Sequence, residues 1–582
     1  MQIETPTSQL VANPRGSLLV SDTPISFWGG IDPANGDVID EHHPLSGENV
    51  TSRLLAIPGS RGSCSGSSVL LELLDSDKSP AALIFCEAEE ILVLGALIAK
   101  VMFDKSLPLL RIDSEDFNTL VNGADAQIDN DLLKVFTQNG EQIIKGQRIH
   151  IDLDDEQFND INLSDEDRRL LSGEYGKAAE VSMRIVLRMA QLQHATHLID
   201  ITQAHIDGCV YNGLSNLKFA ERLVEWGATV KVPTTLNALS VDQQQWRAQG
   251  IHPEFGEPAS AVGDAYVAMG ARKSFTCAPY LLNSAPSAGE QIVWAESNAV
   301  AYANSVLGAK TQKYPDFLDI CIALTGRAPA SGTHLDQGRL PTLFIDTEFS
   351  EHADDSYWPL LGYHVGLLAE NSIPFVRGLS LAQPSADDLK AFSAAFATTS
   401  SVPMFHMAGV TPEAAHVLQQ LASDGRSDLP VKTITIDDLC TSWRSLNTAQ
   451  SNQVDMVCLG NPHFSRTEVE ALNRLCGSRV KSPDVDVVVT LGRDIYQQCL
   501  DDAIISSLKE FGVQFVMDTC WCMLQEPVIP KSGSILMTNS GKYAHYGPGL
   551  VKRSIHFGSL KECVDAACNG SRTQQTPAWL TS

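Results

Sequence analysis

Residues 58–73 read Pro-Gly-Ser-Arg-Gly-Ser-Cys-Ser-Gly-Ser-Ser-Val-Leu-Leu-Glu-Leu, a loop of glycine and serine that runs into an apolar segment. Because the apolar residues 53–57 come just before it, the order predicts a strand, a turn and a helix. Such a loop exposes backbone N–H groups at a helix N-terminus, which favour an anion and lower the pKa of a nearby hydroxyl. An ordinary turn with an N-capping serine is the alternative. A hydrolase is not indicated, because residues 62–66 place cysteine, not serine, at the centre of the Gly-x-Ser-x-Gly pattern.

Around this loop, the first 145 residues predict a small α/β domain of barrel-like form. Strands are expected at residues 17–21, 53–57, 81–86 and 107–112. The apolar residues 91–101 predict a helix between the last two strands. We expect this domain to span residues 1–145, followed by a linker rich in Asp, Gln and Asn over residues 146–162.

Residues 163–582 predict a large, multi-layer α/β portion with more than one subdomain. Ser164 is a candidate N-cap with Asp167 in the third helical position, so a helix is expected over residues 166–193. Strand-like segments follow at residues 197–201, 229–232, 342–345, 487–491 and 514–517. They alternate with helical segments at residues 217–226, 288–307, 411–424, 466–475 and 494–510. The alternation predicts parallel sheets with ligands at the carboxyl ends of the strands.

The composition limits the classes of partner. With 43% hydrophobic and 19% charged residues the chain should fold, and its length calls for two or more domains. A net charge of −28 speaks against nucleic acid but leaves room for a small anionic or zwitterionic substrate. No apolar run is long enough for a bilayer and no secretory signal is visible, so we expect a cytoplasmic monomer or weak homo-oligomer.

Cysteines are the second candidate for chemistry. The chain has 13 of them and no paired Cys-x-x-Cys framework, which excludes a zinc ribbon but is compatible with a cluster held by scattered thiolates. Cys277 stands in Thr-Cys-Ala-Pro-Tyr, and Cys520 stands in Asp-Thr-Cys-Trp-Cys at the end of an expected strand. We expect Cys520 rather than Cys522 to act as a ligand, because Cys-x-Cys brings both sulfurs to one metal only with unusual backbone geometry.

Several polar residues could line a site with these thiols. In a helix, Glu296, Ser297 and Asn304 would lie on one side among small residues, as on an active-site wall or in structural hydrogen bonding. Lys542 is a candidate anion contact or a solvated lysine. His205 and His463 follow strands and are either satisfied loop residues or part of a site. Neither a dinucleotide nor a P-loop motif is present.

In this order the segments resemble the aconitase X family over nearly the whole chain. Residues 24–33, 40–47 and 61–68 resemble the family's small swivel domain. The segments that resemble its large, cluster-bearing portion lie around His205, Cys277, Glu296, residues 326–329, His463 and residues 518–520.

The resemblance implies an iron–sulfur dehydratase in which the swivel domain closes over the large portion. Ser63 falls on the position of the proton acceptor, and Cys277 and Cys520 fall on cluster ligands. The substrate-contacting positions are Ser65, Gly208, Asn237, Glu296, Ser297 and Lys542.

One position departs from the pattern. Family members that act on phosphomevalonate carry a third ligand cysteine just before Pro-His, where this chain has Asn461. We therefore expect the third thiolate to come from Cys321, with Cys458 as the alternative, and we favour a [2Fe–2S] cluster.

The missing cysteine and the fusion of both portions in one chain resemble the branch that dehydrates cis-3-hydroxy-L-proline. The implied reaction uses a cluster iron as Lewis acid for the C3 hydroxyl, removes the Cα proton at Ser63 and ends at pyrroline-2-carboxylate. Two alternatives remain open, a mevalonate 5-phosphate dehydratase and a non-catalytic, iron-sensing relative of aconitase.

Overall fold

A computed structural model describes residues 13–138, 140–153, 158–348, 352–379, 382–573 and 576–581. The expected linker at residues 146–162 and the start of the expected N-terminal domain therefore lie partly outside the described residues. Within the described ranges, we find no helix with the length and apolar character needed to cross a bilayer.

The N-terminal part is built on one curled sheet. Its strands are β1 (Arg15–Val20), β2 (Leu54–Ala56), β3 (Ala82–Phe85), β4 (Leu109–Arg111), β5 (Asp125–Asp129), β6 (Leu132–Thr137), β7 (Gly140–Lys145) and β8 (Gln147–Arg148), in the spatial order β7-β6-β5-β1-β2-β3-β4-β8. The two outermost strands, β7 and β8, are separated in the chain by Gly146 alone, so the edges of the sheet must lie close together. This confirms the expected barrel-like α/β fold.

The quoted stretch forms a strand–loop–helix unit in this part. Its helices are α1 (Gly66–Asp75), α2 (Ile91–Phe103) and α3 (Ser114–Phe117). Strands β1 to β4 are parallel, and α1 connects β2 to β3. Helices α1 and α2 pack closely because α2 has a glycine at the contact, where a Cβ on Gly95 would lie 2.7 Å from the carbonyl oxygen of Ser67. The loop at residues 57–65 therefore lies at the carboxyl end of β2.

The first third of the large portion carries short sheets. Its elements are α4 (Asp165–Leu171), α5 (Lys177–Leu192), β9 (Leu198–Asp200), β10 (Ala204–Ile206), α6 (Leu214–Glu225), β11 (Thr234–Leu236), α7 (Pro253–Ala268), β12 (Val293–Trp294), α8 (Ser297–Tyr302), α9 (Leu318–Thr325) and β13 (Arg327–Pro329). Strand β10 pairs in parallel with β11 and β12, and β13 pairs with β9.

Two parallel sheets complete the chain. The elements of the first are β14 (Leu343–Asp346), α10 (Tyr357–Ala369), β15 (Pro374–Arg377), α11 (Ala386–Thr399), β16 (His406–Met407), α12 (Ala414–Ser423), β17 (Val431–Thr433) and α13 (Ile436–Leu446). Those of the second are β18 (Met456–Phe464), α14 (Arg466–Cys476), β19 (Asp486–Leu491), α15 (Arg493–Asp501), α16 (Ile504–Phe511), β20 (Val513–Val516), β21 (Ile535–Thr538), α17 (Gly541–Val551), β22 (Ser554–Phe557) and α18 (Leu560–Asn569). The strand orders are β16-β15-β14-β17 and β20-β19-β18-β21-β22, which confirms the multi-layer α/β architecture.

Four expected elements differ from the structure, and one of them is the expected helix 494–510, which is the two helices α15 and α16 because Ala503 adopts a positive φ. The capping box at Ser164 is present, but the expected helix 166–193 is two helices, because Gly173 and Gly176 adopt positive φ. The expected helix 288–307 holds strand β12, the short α8 and a π-helical turn, since tertiary pairing with β10 prevails over local helix propensity. The expected strand 229–232 is loop, and β11 forms a few residues later.

The N-terminal part docks on the large portion through α1. The Glu72 carboxylate accepts a hydrogen bond from the backbone N–H of Ser215 at 2.9 Å, at the start of α6. One turn further along α6, Lys218 pairs with Asp75 at 2.7 Å. These contacts hold the C-terminal half of α1, the helix that follows the serine-bearing loop, against the large portion.

Candidate active site

Three thiols from two loops meet in the large portion. Cys277 follows β11 and α7 in the chain, whereas Cys520 and Cys522 follow β20. All three are buried, and Cys520 is hydrogen-bonded to both of the others. Hydrogen bonds from Cys277 and then Cys522 lower the pKa of Cys520 well below its usual range, and the charge of Lys542 adds to this effect. We call Cys277, Cys520 and Cys522 the thiol cluster.

The backbone after Cys520 explains why Cys522 joins this cluster. Cys520 is extended, and the 3-10 helix Trp521–Met523 begins directly after it, which turns the chain back within two residues. Asn461 Nδ2 donates to Cys522 Sγ at 3.0 Å. Asn461, which stands where phosphomevalonate-specific members carry a ligand cysteine, therefore lies beside Cys522, a thiol that the sequence did not favour as a ligand.

His463 holds the two thiol-bearing loops together. Its ring Nδ1 is 3.0 Å from Thr276 Oγ1, and its Nε2 is 2.7 Å from the carbonyl oxygen of Thr519. Its backbone N–H donates to Cys277 Sγ at 3.3 Å. Because Thr276 and Thr519 directly precede Cys277 and Cys520, His463 supports the thiols and is fully engaged in doing so.

The two thiols expected as third ligand lie elsewhere. Cys321 is on α9, where its thiol contacts Ser182 of α5 and burial raises its pKa to about 12. Cys458 is inside β18, and burial alone raises the pKa of its thiol. The structure does not bring either residue to the thiol cluster, because tertiary packing turns the buried face of α9 toward α5. Cys522 replaces Cys321 as the candidate.

The donor set of the thiol cluster fits an iron–sulfur group. Soft thiolate ligands favour iron–sulfur clusters, and in such a cluster the thiolates bind to two or more iron atoms. The described residues contain no group of three or more His, Cys, Asp or Glu that could hold a metal ion by itself. The thiols contact one another in the order Cys277, Cys520, Cys522, and thiolates are the usual ligands of iron–sulfur clusters.

A row of hydrogen bonds runs from the thiol cluster toward the serine-bearing loop. Lys542 Nζ donates to Glu296 Oε1 at 2.7 Å. Asn237 Nδ2 lies between two carboxylates, donating to Glu296 Oε2 at 3.0 Å and to Asp207 Oδ1. Ser65 Oγ donates to Asp207 Oδ2 at 3.2 Å. Four residues of the large portion thus connect the thiol cluster to the N-terminal part.

Lys542 and Glu296 keep each other charged inside the protein. Burial alone would lower the pKa of Lys542, but Glu296 raises it well above its usual range. Burial likewise raises the pKa of Glu296, and the charge and hydrogen bond of Lys542 reverse this into a lowered value. Asn298 Nδ2 adds a hydrogen bond to Glu296 at 2.6 Å. The pair places a fixed cation beside Cys520.

The serines of residues 61–68 face the large portion and do not cap the helix. Ser65 is the N-cap residue of α1, but its side chain makes no capping hydrogen bond and bonds Asp207 instead. Ser63 Oγ lies 3.4 Å from Ser65 Oγ and accepts the Ser65 N–H at 3.3 Å. Ser68 Oγ donates to Asp316 Oδ2 at 3.1 Å. The structure therefore disfavours the N-capping alternative.

Three buried carboxyl groups lie under this loop at positions that the sequence did not indicate. Burial, and then the charge of Asp319, raises the pKa of Asp316 to about 8, and burial raises that of Asp319 to about 6. Burial and the neighbouring carboxylates also raise the pKa of Asp207 well above its usual range. Asp207 and Asp316 are far apart in sequence, so no local pattern could have indicated this group.

The remaining candidates divide between site and support. Gly208 lies beside Asp207, with its N–H donating to Asp319 Oδ2 at 3.2 Å, and Ser297 is buried at the start of α8 next to Glu296. Asn304 is not on the Glu296 side as expected. It bonds Thr311 and Pro403 backbone carbonyls as a structural residue.

His205 is buried and its pKa is lowered to about 3 by that burial. Its Nδ1 lies 2.8 Å from Thr235 Oγ1, whereas its buried Nε2 has no hydrogen-bond partner among the described residues. It therefore stays neutral at ordinary pH.

Four family models of aconitase X match in chain order. They are the swivel domain at residues 8–135, the first domain at 160–337, the second domain at 341–444 and the third domain at 454–569. The start of the first-domain match near residue 160 lies close to the expected end of the linker.

Comparison with known proteins gives the same family. The chain is 51% identical over 571 residues to the cis-3-hydroxy-L-proline dehydratase of Hypocrea jecorina, covering 97% of this chain and 95% of that protein. It is 49% identical over 578 residues to the enzyme of the same name from Pseudomonas aeruginosa, covering 99% and 98%. The crystal structure of Thermococcus kodakaraensis aconitase X in its holo-form superposes with a TM-score of 0.63 at 28% identity, covering 70% of this chain and 100% of that one. On this basis, the chain belongs to the aconitase X family.

Proposed function

We propose that this chain dehydrates cis-3-hydroxy-L-proline to pyrroline-2-carboxylate. The two relatives of that name match nearly its whole length, which supports this substrate. The observation that carries the proposal is the hydrogen-bonded row from Lys542 to Ser65, because it connects the serine-bearing loop with the surroundings of the thiol cluster through buried side chains.

Members of the aconitase X family depend on an iron–sulfur cluster. In this chain Cys277, Cys520 and Cys522 would hold it, and we retain the [2Fe–2S] type as part of the proposal. When bound, an iron with an open position supplies a Lewis acid for the C3 hydroxyl of the substrate. All 13 cysteines are free thiols, which supports a reducing compartment such as the cytoplasm.

Ser63 Oγ holds the proton that leaves Cα. A serine is a weak base at its ordinary pKa, so the hydroxyl needs an acceptor for its own proton. Ser65 and behind it Asp207 supply that acceptor through the contacts at 3.4 Å and 3.2 Å. The dehydrated ring then tautomerises to the cyclic imine.

The other residues of the row hold the substrate. Lys542 is fixed by Glu296 and orients the polar end of the substrate near the thiols, while Asn237 links Glu296 to Asp207 by donating to both. Ser297 and Gly208 shape the wall at either end of the row. In this proposal residues 1–145 act as the swivel domain, and its contacts through α1 shield the site from water.

The experiment is anaerobic purification with iron and sulfide analysis, followed by turnover assays on cis-3-hydroxy-L-proline and mevalonate 5-phosphate in parallel. We expect turnover of the first compound only, with the product measured by trapping the cyclic imine with 2-aminobenzaldehyde. Turnover of the phosphate compound alone would contradict the proposal. A gel-shift with RNA and no turnover would favour the iron-sensing alternative.

A further inference from the structure

A second lysine, Lys313, lies under the serine-bearing loop and takes no part in the hydrogen-bonded row. Its Nζ donates to the carbonyl oxygen of Ser400 at 3.0 Å. Among the described residues, no carboxylate oxygen lies within 4.0 Å of this nitrogen, so Lys313 forms no ion pair there. A half-buried ammonium group has three N–H donors, and a single neutral carbonyl leaves its charge without a paired anion.

The backbone around Lys313 is anchored on both sides. Gln312 Nε2 donates to Ser331 Oγ at 2.7 Å, and the Tyr314 hydroxyl bonds His334. Three residues after Lys313, the Asp316 N–H donates to the carbonyl oxygen of Cys64 at 3.2 Å. The segment that carries Lys313 is thus held against Cys64, the residue that follows Ser63.

The charges near Lys313 come from inside the site. Burial lowers the pKa of Lys313 and the charge of Lys542 adds to this, whereas Cys64, Glu89 and Glu296 act in the opposite direction and favour its ammonium form. The two carboxylates are already engaged, because Glu296 pairs with Lys542 and Glu89 accepts the Ser60 and Leu92 N–H groups. Of the two lysines described at this site, Lys313 is therefore the one that is not paired with a carboxylate.

The proposed reaction needs such a cation at this place. A base that removes the proton from Cα must lie next to the carboxylate on the same carbon, and negative charge develops on that carboxylate as the proton leaves. We propose that Lys313 binds the substrate carboxylate beside Ser63, while Lys542 serves the opposite end of the site. This assignment rests on the proposed function and makes the site selective for carboxylates over neutral amides.

Binding of L-proline tests the assignment, because this ring has the carboxylate but no hydroxyl to eliminate. Calorimetry on the anaerobically purified holo-protein would compare L-proline with L-prolinamide for the parent chain, Lys313→Met and Lys313→Gln. The glutamine variant keeps a donor for Ser400 without the charge, so it decides the matter if the methionine variant misfolds. Lys310→Met is the matched control, because Lys310 pairs with the exposed Asp336 at 2.5 Å on the surface.

We expect the parent and the control to bind L-proline in preference to the amide. Losing a hydrogen bond to a charged group corresponds to at least about a tenfold weaker affinity, so both Lys313 variants should lose that preference and raise KM more than they lower kcat. Cluster absorbance should stay unchanged. Variants that bind L-proline like the parent, or a parent that does not distinguish the amide, would overturn the assignment.

The two proposals fail in different ways. Lys313-dependent binding of L-proline without turnover of cis-3-hydroxy-L-proline would leave the carboxylate site standing and refute the proposed function. Normal turnover with an unchanged KM in both Lys313 variants would do the reverse.

Discussion

The two ends of the site are assembled in opposite ways. The serine end comes from one short segment, with Ser63 and Ser65 in the turn between β2 and α1 and Ser68 in the first turn of α1. The thiol end comes from Cys277 and Cys520, which only the packing of two separate loops brings into contact. One end is encoded locally and the other by the tertiary fold.

Their electrostatic environments differ as well. The serine end bonds buried carboxyl groups whose pKa values are raised by burial, as at Asp316. The thiol end lies next to the fixed charge of Lys542, which favours thiolate at Cys520. The serine end therefore favours protonated carboxyl groups, whereas the thiol end stabilises anions. Substitutions at the two ends should therefore cause different losses of turnover, cluster content and stability.

The largest effect is expected at the thiol end. Cys520→Ser removes the thiol that contacts both others, so the cluster should be lost and turnover with it. Iron and sulfide analysis together with the visible absorbance measure this. Cys568→Ser, at a half-buried cysteine of α18, is the control and should retain both. A Cys520 variant that keeps its iron would show that this thiol is not a cluster ligand.

At the serine end, Ser63→Ala should lower kcat by about 10²- to 10⁴-fold, the usual contribution of a general base, and leave the cluster absorbance intact. Ser67→Ala is a suitable contrast, because that hydroxyl bonds only the carbonyl oxygens of Cys64 and Asp316. We expect it to reduce stability slightly with little change in kcat. Unchanged turnover in the Ser63 variant would refute its role as proton acceptor.

The same contrast explains which features could be predicted from the sequence: those formed by neighbouring residues could, and those formed by tertiary packing could not. The strand–loop–helix unit and the capping box at Ser164 follow from neighbouring residues, and both are present. The third thiol does not follow in this way. Cys321 is carried toward Ser182 by the packing of α9 on α5, and Cys522 reaches Cys520 only because a 3-10 turn starts directly after it.

A pair of variants tests whether Cys522 or Cys321 is the third cluster ligand. Cys522→Ser should lower the iron content per folded chain, since it removes a sulfur next to Cys520. Cys321→Ser should instead leave the iron content at the parent level, because the Cys321 thiol contacts Ser182 and not the thiol cluster. The reverse result, with iron lost only in the Cys321 variant, would restore the prediction from sequence.

The smallest effect concerns the pH dependence of stability at the serine end. The pKa of Asp316 rises from an ordinary 3.8 to about 8 through burial, so the folded chain binds more protons than the unfolded one between those values. Its contribution to stability is therefore complete at acidic pH and is lost as the pH rises toward 8. Asp316→Asn does not titrate, and its amide oxygen can still accept the Ser68 hydroxyl.

Denaturant unfolding of the holo-protein at pH 5 and pH 8 measures this difference. The parent should lose more unfolding free energy between the two pH values than the Asp316→Asn variant. Asp336→Asn is the control, because Asp336 lies on the surface and Lys310 lowers its pKa, so both of its states are ionised over this range. Equal slopes for the parent and the Asp316 variant would mean that this carboxyl group is ionised throughout, and that the two ends of the site do not differ in proton uptake.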